Sequence, residues 1–328
     1  MTDYQGPAFQ LVETITAEEL ARQGGFRPRT RPLLVKGAVK AWPAWDKWTF
    51  AKLAELKRKD GSEVISSFQN GLVEQGVTKE PLNLPVAPYL RELDELARKI
   101  RAEWDDNTGL CPDRVWKSLK PGERFHLNWA HLQSFTPNRI YLAQWDLLSE
   151  FPEMKKDFAI KTLWPGWRMT WQYVFIGPSN TVTGLHYDFP DNWFTQITGV
   201  KEFLLFPPEN TPYMHRSKKF DWGATLSDIN ISKLAEQPQM RADFAKTNGL
   251  YARVEAGDAL FVPKQTWHGV VALEPSVSLA VFGLTLPEVL IGGGKAELKA
   301  LLHRLHLYRW GNCTCHKMTA APKALMAT

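Results

Sequence analysis

The chain has 328 residues, 44% hydrophobic and 23% charged, an ordinary soluble globular composition with length for one large domain or two modest ones. Its 40 Lys and Arg against 35 Asp and Glu leave +5; the densest basic group, His215, Arg216, Lys218 and Lys219, is too short for a nucleic-acid stripe, so no nucleic acid is expected as a partner. No apolar leader follows Met1, no apolar run nears the roughly 20 residues of a membrane span, and Cys111, Cys313 and Cys315 make no disulfide framework; a cytoplasmic protein with no membrane partner is expected.

In chain order, "TAEELARQG" reads as a Thr16-capped helix ending at Gly24 or Gly25. "RPLLVKGAV" reads as a short buried strand, "TFAKLAELKRK" as a helix with basic residues in its last turn, and "SEVISSF" as a strand. Residues 70–136 are the least regular, apart from an amphipathic helix in "PVAPYLRELDELARKIRAEW" with Tyr89, Leu90, Leu93, Leu96 and Ile100 near one face. "RIYLAQWDLL" returns to strand character. Two strands joined by the turn "GPSN" follow in "RMTWQYVFIGPSNTVTGLHYD", and "NWFTQITGVKEFLLFPP" reads as a hairpin turning at Gly199. Further strands lie in "YARVEAGDALFVPKQTWHGVVAL" and "VSLAVFGLTL", with an insertion of turns and helix at 210–250 and a last helix after the Gly292–Gly294 run. Many short strands flanked by helices predict a mainly β fold with α decoration, a double-sheet barrel or jelly roll. The 14 Trp, 17 Phe and 8 Tyr suit the core of such a fold, and some could line a substrate groove.

His186 and Asp188 stand at i and i+2 of a strand, so both side chains leave one face. A metal needs that convergence, and His268 at the end of another strand in "FVPKQTWHGV" is the candidate third ligand. Two imidazoles and one carboxylate on one face of an ion leave the opposite positions open, which suits non-haem Fe(II) with a co-substrate and O₂. A lone His-x-Asp pair also arises by chance, but Thr183 precedes it, Asn192 follows it, and Lys201 sits on the next strand of the hairpin. Lys201 lies between Val200 and "FLLF". Either it is buried and pairs with a dicarboxylate co-substrate, or it faces solvent on a half-exposed strand.

"TVTGLHYDFPDNWFTQITGVKEFLLFPP" with "GDALFVPKQTWHGV" resembles the JmjC (cupin-like) family of Fe(II)- and 2-oxoglutarate-dependent oxygenases, closest to its asparaginyl hydroxylase branch, over roughly residues 30–285. The likeness extends upstream through "RPLLVKGAVKAWPAWDKWTFAKL" and "RIYLAQWDL". It implies a double-stranded β-helix in which His186, Asp188 and His268 hold Fe(II). Lys201, helped by Thr183 and Tyr141, would take the far carboxylate of 2-oxoglutarate, with Asn192 near its metal-binding end. The implied activity is hydroxylation of a protein or peptide side chain, or of an amino-acid-like small molecule. Methyl-lysine demethylation by the same chemistry, and a non-catalytic cupin-fold binding protein, are the alternatives. Phe282 and Gly283 stand where many members of the branch carry an Asn, which weakens transfer of that branch's substrate class.

These readings place an oxygenase domain with a helical N-terminal extension at 1–285 and a helical tail at 286–328, through which the resemblance implies a homodimer. His303, His306, Cys313, Cys315 and His316 gather in that tail. Either they form a zinc site or the helix simply packs on the barrel or on a second copy.

Overall fold

Eight strands between Met169 and Leu284 divide four and four between two facing sheets in the computed structural model, which describes residues 4, 6–70, 81–105, 107–135, 137–138, 140–163, 166–290 and 294–313. They are β1 (Met169–Gly177), β2 (Val182–Asp188), β3 (Asp191–Thr198), β4 (Lys201–Phe206), β5 (Asn248–Val254), β6 (Ala259–Val262), β7 (Trp267–Ala272) and β8 (Ser276–Leu284). One sheet runs β2-β7-β4-β5 and the other β6-β3-β8-β1, antiparallel throughout. This is the expected jelly-roll architecture.

Both sheets are extended by outlying strands. Ala224–Leu226 pairs with β2, and Ala8–Leu11 runs parallel to β5. Leu33–Lys36 pairs with β6, and Ile140–Trp145 pairs with β1. Apolar side chains cluster between the sheets, among them Phe194, Phe203, Leu205, Val254 and Leu260. Larger clusters cover each sheet's outer face. That double coverage explains why all six residues of β4, "KEFLLF", are buried.

The reading of β3 and β4 as a hairpin does not hold. The chain does reverse at Gly199, whose φ is +80° and where a Cβ would stand 2.3 Å from the Pro275 carbonyl oxygen, so glycine is required there. Yet β3 pairs with β6 and β8 while β4 pairs with β5 and β7. The turn carries the chain across the barrel from one sheet to the other, and "GPSN" does the same between β1 and β2. A turn signal specifies reversal; which strand pairs next depends on which sheet edges are free.

The helix expected over "TFAKLAELKRK" is also shorter, ending at Leu53. Thr49 caps it and Phe50 and Leu53 are buried, after which Lys57 bridges to Glu63 around a turn at Asp60-Gly61. The Asp-Gly reversal wins over the weak propensity of a solvated basic run. The Thr16 capping box and the helix Val86–Ala102 form as expected.

Candidate active site

β2 and β7 are neighbours in register, with His186 directly opposite His268 and their ring centroids 4.1 Å apart. His186 Nδ1 lies 2.8 Å from the Gly184 carbonyl and His268 Nδ1 lies 2.9 Å from the Thr266 carbonyl. A carbonyl oxygen only accepts, so both Nδ1 atoms carry the proton and both Nε2 atoms present bare lone pairs. Those Nε2 atoms stand 4.0 Å (His186) and 3.6 Å (His268) from the Asp188 carboxylate oxygens. One ligand atom from each residue falls within 4.8 Å of the others, and among the described residues this is the only such cluster of His, Cys, Asp and Glu.

Burial holds the His268 imidazole well below its ordinary pKa, and the proximity of His186 adds to that. Burial also pushes the Asp188 carboxyl up to about 6, partly opposed by His186 and reinforced by Asp221. A His268 imidazole held neutral beside a carboxylate that resists its charge belongs to a donor set that a divalent cation completes.

Thr183 reaches the same cavity only because β2 is irregular. Residues i and i+3 of a regular strand point to opposite faces. Here β2 spends three residues, Thr183 to His186, where β7 spends two, Val270 to His268, and this bulge restores the shared face.

Lys201 is 3% exposed, which excludes its solvent-facing alternative. Its Nζ donates to the Tyr141 hydroxyl at 3.3 Å and lies 5.1 Å from the centre of the Phe194 ring. Among the described residues no carboxylate comes within ion-pair reach, and burial lowers the ammonium pKa to about 7. Its neighbour Glu202, on the opposite face of β4, is equally buried but accepts from the Tyr251 hydroxyl and from the Leu110 and Cys111 amides. Lys201 thus faces the cavity as an uncompensated cation.

Asn192 is buried, pairs across to Phe282 on β8, and its Oδ1 has no hydrogen-bond partner. Phe282 therefore occupies the cavity wall beside Asn192, where the sequence departs from the branch's amide. One cavity of about 420 Å³ is lined by His186, Asp188, His268, Lys201, Thr183, Tyr141 and Asn192 together. Sequence reasoning missed Ser67, Gln69, Gln144 and Asp221, which line it too. Gln144 has φ 55° at an irregularity in the strand Ile140–Trp145, a conformation no local signal announces. Asp221 carried a turn signal in "DWG", but nothing placed that turn near β2.

In the tail, His303 Nδ1 donates to the Tyr308 carbonyl and the ring stacks on Phe220, while Cys313 is buried. Cys315 and His316 lie outside the described residues.

A double-sheet barrel that points two imidazoles and a carboxylate into one cavity, with a buried lysine across from them, defines a metal-dependent oxygenase of the cupin type. The chain belongs to the Cupin-like domain family, which matches residues 21–282. It is similar to tRNA wybutosine-synthesizing protein 5 of Gallus gallus, at 24% identity over 88% of this chain and 81% of that one. It is also similar to JmjC domain-containing protein D of Dictyostelium discoideum (32% identity, 76% of this chain, 50% of that one). A third relative is lysine-specific demethylase 8 of Danio rerio (30% identity, 43% of this chain, 35% of that one). The protein is a JmjC-type oxygenase that uses Fe(II), 2-oxoglutarate and O₂.

Proposed function

We propose that His186 and His268, through Nε2, and Asp188, through its carboxylate, hold the iron, and that Lys201 anchors 2-oxoglutarate. The observation that carries this reading is the buried Lys201 ammonium facing the triad's cavity with no carboxylate beside it. A dicarboxylate supplies that partner: its far carboxylate accepts from Lys201 and from the Tyr141 and Thr183 hydroxyls. Asn192, with its orphaned Oδ1, stands by the co-substrate's other end. Phe175, Phe194, Phe203 and Val270 line the remaining wall and keep water from the reacting centre. Bound iron supplies the oxidising chemistry, in which 2-oxoglutarate and O₂ give succinate and CO₂ while the second oxygen atom becomes a hydroxyl on a substrate carbon.

The substrate in this reading is a polypeptide side chain or an amino-acid-like molecule. Two observations of one experiment test it. Aerobic incubation with iron, 2-oxoglutarate and peptide substrates should release succinate with a mass gain of one oxygen, whereas loss of a methylene would mean demethylation. Bulk tRNA, the polymer in one relative's name, should leave succinate release unchanged. Failure of Mn(II) with 2-oxoglutarate to raise the melting temperature would favour a non-catalytic binding protein.

Gly177 tests the co-substrate wall. A Cβ there would lie 2.4 Å from the Tyr141 ring. Gly177→Ala should therefore displace Tyr141, costing about 1–3 kcal/mol of stability and raising the KM for 2-oxoglutarate about tenfold. Mn(II) affinity should be unchanged.

The oxygenase domain is assigned to 1–285 and the tail to 286–328. The helix Gly294–Arg304 exposes Leu298 and Leu301, and Leu305 just beyond it is exposed too, which supports dimerisation through this tail. Leu298→Glu with Leu301→Glu should convert a dimer to a monomer in light scattering. Among the described residues no helix is long and apolar enough to cross a membrane, and the buried Cys111 thiol fits a reducing, cytoplasmic setting.

A further inference from the structure

Gln144 reaches the cavity only through a break in the regularity of its strand. Strict alternation along Ile140–Trp145 would leave Tyr141, Ala143 and Trp145 on one face and Leu142 with Gln144 on the other. The observed faces differ. Leu142 and Trp145 pack into the apolar cluster outside the sheet, whereas Tyr141, Ala143 and Gln144 all line the cavity. The strand spends three residues, Leu142 to Trp145, where β1 spends two, Ile176 to Val174, and Gln144 sits in that bulge at φ 55°. Side chains other than Gly, Asn and Asp rarely adopt this left-handed conformation. Gln144 is exposed, and among the described residues its carboxamide has no hydrogen-bond partner, so no bond of its own offsets the strain. A bulge that turns one polar side chain into a catalytic cavity, against backbone preference, marks a residue kept for a ligand.

The adjoining strand Ile65–Asn70 adds to the same wall, with Gln69 directly opposite Tyr141. Phe68 belongs to the outer apolar cluster, while Ser67 and Gln69 line the cavity. Ser67 and Gln69 are separated by one strand repeat, about 7 Å. Peptide groups that an extended polypeptide turns to one side recur at that same interval. A carboxamide both donates and accepts, so each Gln can meet an N–H and a C=O of such a chain. An anionic polymer is less well served, since the described lining residues include no Lys or Arg besides Lys201, and phosphodiesters are held by several cations.

We propose that Gln144, with Gln69 beside it, is a substrate-binding residue that holds main-chain amide groups of an extended polypeptide against this wall. This rests on the oxygenase reading and deepens it, choosing a polypeptide over a small amino-acid-like molecule.

The test uses full-length protein loaded with Mn(II) and 2-oxoglutarate under anaerobic conditions, with ligand binding followed by calorimetry. One probe is Nα-acetyl-pentaalanine amide. Its counterpart is the ester chain built from L-lactic acid, which carries the same methyl groups but no internal N–H. Nα-acetylalaninamide stands for a small molecule and tetra-adenylate RNA for a nucleic acid. Pentaalanine should bind at least about fivefold more tightly than its ester counterpart, the scale of one neutral hydrogen bond. Gln144→Gly, in which glycine accepts the left-handed backbone without strain, should remove that preference and keep the Mn(II)/2-oxoglutarate melting shift. Gln69→Leu, which keeps the bulk and removes the amide, should weaken pentaalanine binding to a similar degree. Equal binding of peptide and ester, an unchanged preference in Gln144→Gly, or no binding of pentaalanine overturns the inference. So does binding of Nα-acetylalaninamide or tetra-adenylate as tight as that of pentaalanine. Loss of the melting shift in the unsubstituted protein would instead sink the oxygenase reading.

Discussion

Replacing His186, Asp188 or His268 by alanine should each abolish tight Mn(II) or Fe(II) binding and lower turnover by about a thousandfold or more, the several kcal/mol a catalytic ion contributes. In the proposed assignment no single ligand is dispensable. Each imidazole offers one lone pair because its Nδ1 proton is committed to a backbone carbonyl. A flip of either ring to replace a lost donor would break that bond. Asp188 supplies the negative charge, and the neutral His268 cannot substitute for it. Titration by electron paramagnetic resonance checks the binding, and a melting temperature near that of the metal-free parent shows that the variants fold. Affinity should also depend on pH with a definite sign. The Asp188 carboxyl sits at about 6 without metal, and a cation must displace its proton. Binding should strengthen as pH rises towards 6 and level off above it. Affinity that is flat through that range would contradict the assignment.

Lys201→Met should raise the KM for 2-oxoglutarate about a hundredfold, within the 2–5 kcal/mol lost when one partner of a buried charge pair is removed, and leave Mn(II) affinity nearly intact. Its second signature runs the other way. A buried ammonium whose pKa falls from 10.5 to about 7 is protonated more readily in the unfolded chain than in the folded one over that window. Stability of the co-substrate-free parent should therefore rise with pH from about 7 to about 10.5, and it should lose this contribution as pH falls through 7. Lys201→Met lacks that dependence and should melt higher than the parent at neutral pH. Dicarboxylate binding at pH 8 should take up a proton, visible as a buffer-dependent binding enthalpy that vanishes in the variant. A methionine variant that binds 2-oxoglutarate as the parent does would remove Lys201 from the site.

The polar residues of the cavity were legible where chemistry overrides local structure. His186 and Asp188 share a face by strand periodicity alone, and a lysine at the head of "KEFLLF" is conspicuous before an apolar run. Thr183 was found by its spacing, although regular-strand geometry would have turned it away; a bulge at Gly184 and Leu185 reverses that. Gln144 and Asp221 were not found. One depends on an irregularity with φ 55° in the strand Ile140–Trp145. The other depends on a loop in the 210–250 insertion that folds back to pair with β2.

By itself the sequence determined the strands, most of their turns, the His-x-Asp pair on one strand face and the cavity lysine, because these follow from side-chain chemistry and two-residue alternation. Only the tertiary structure decided that successive strands leave one sheet for the other, that His186 faces His268 across β2 and β7, and that Phe282 sits beside Asn192. Those outcomes depend on which strand edges pair and which faces close over the barrel. They are set by burial summed over the whole chain, which no local window contains.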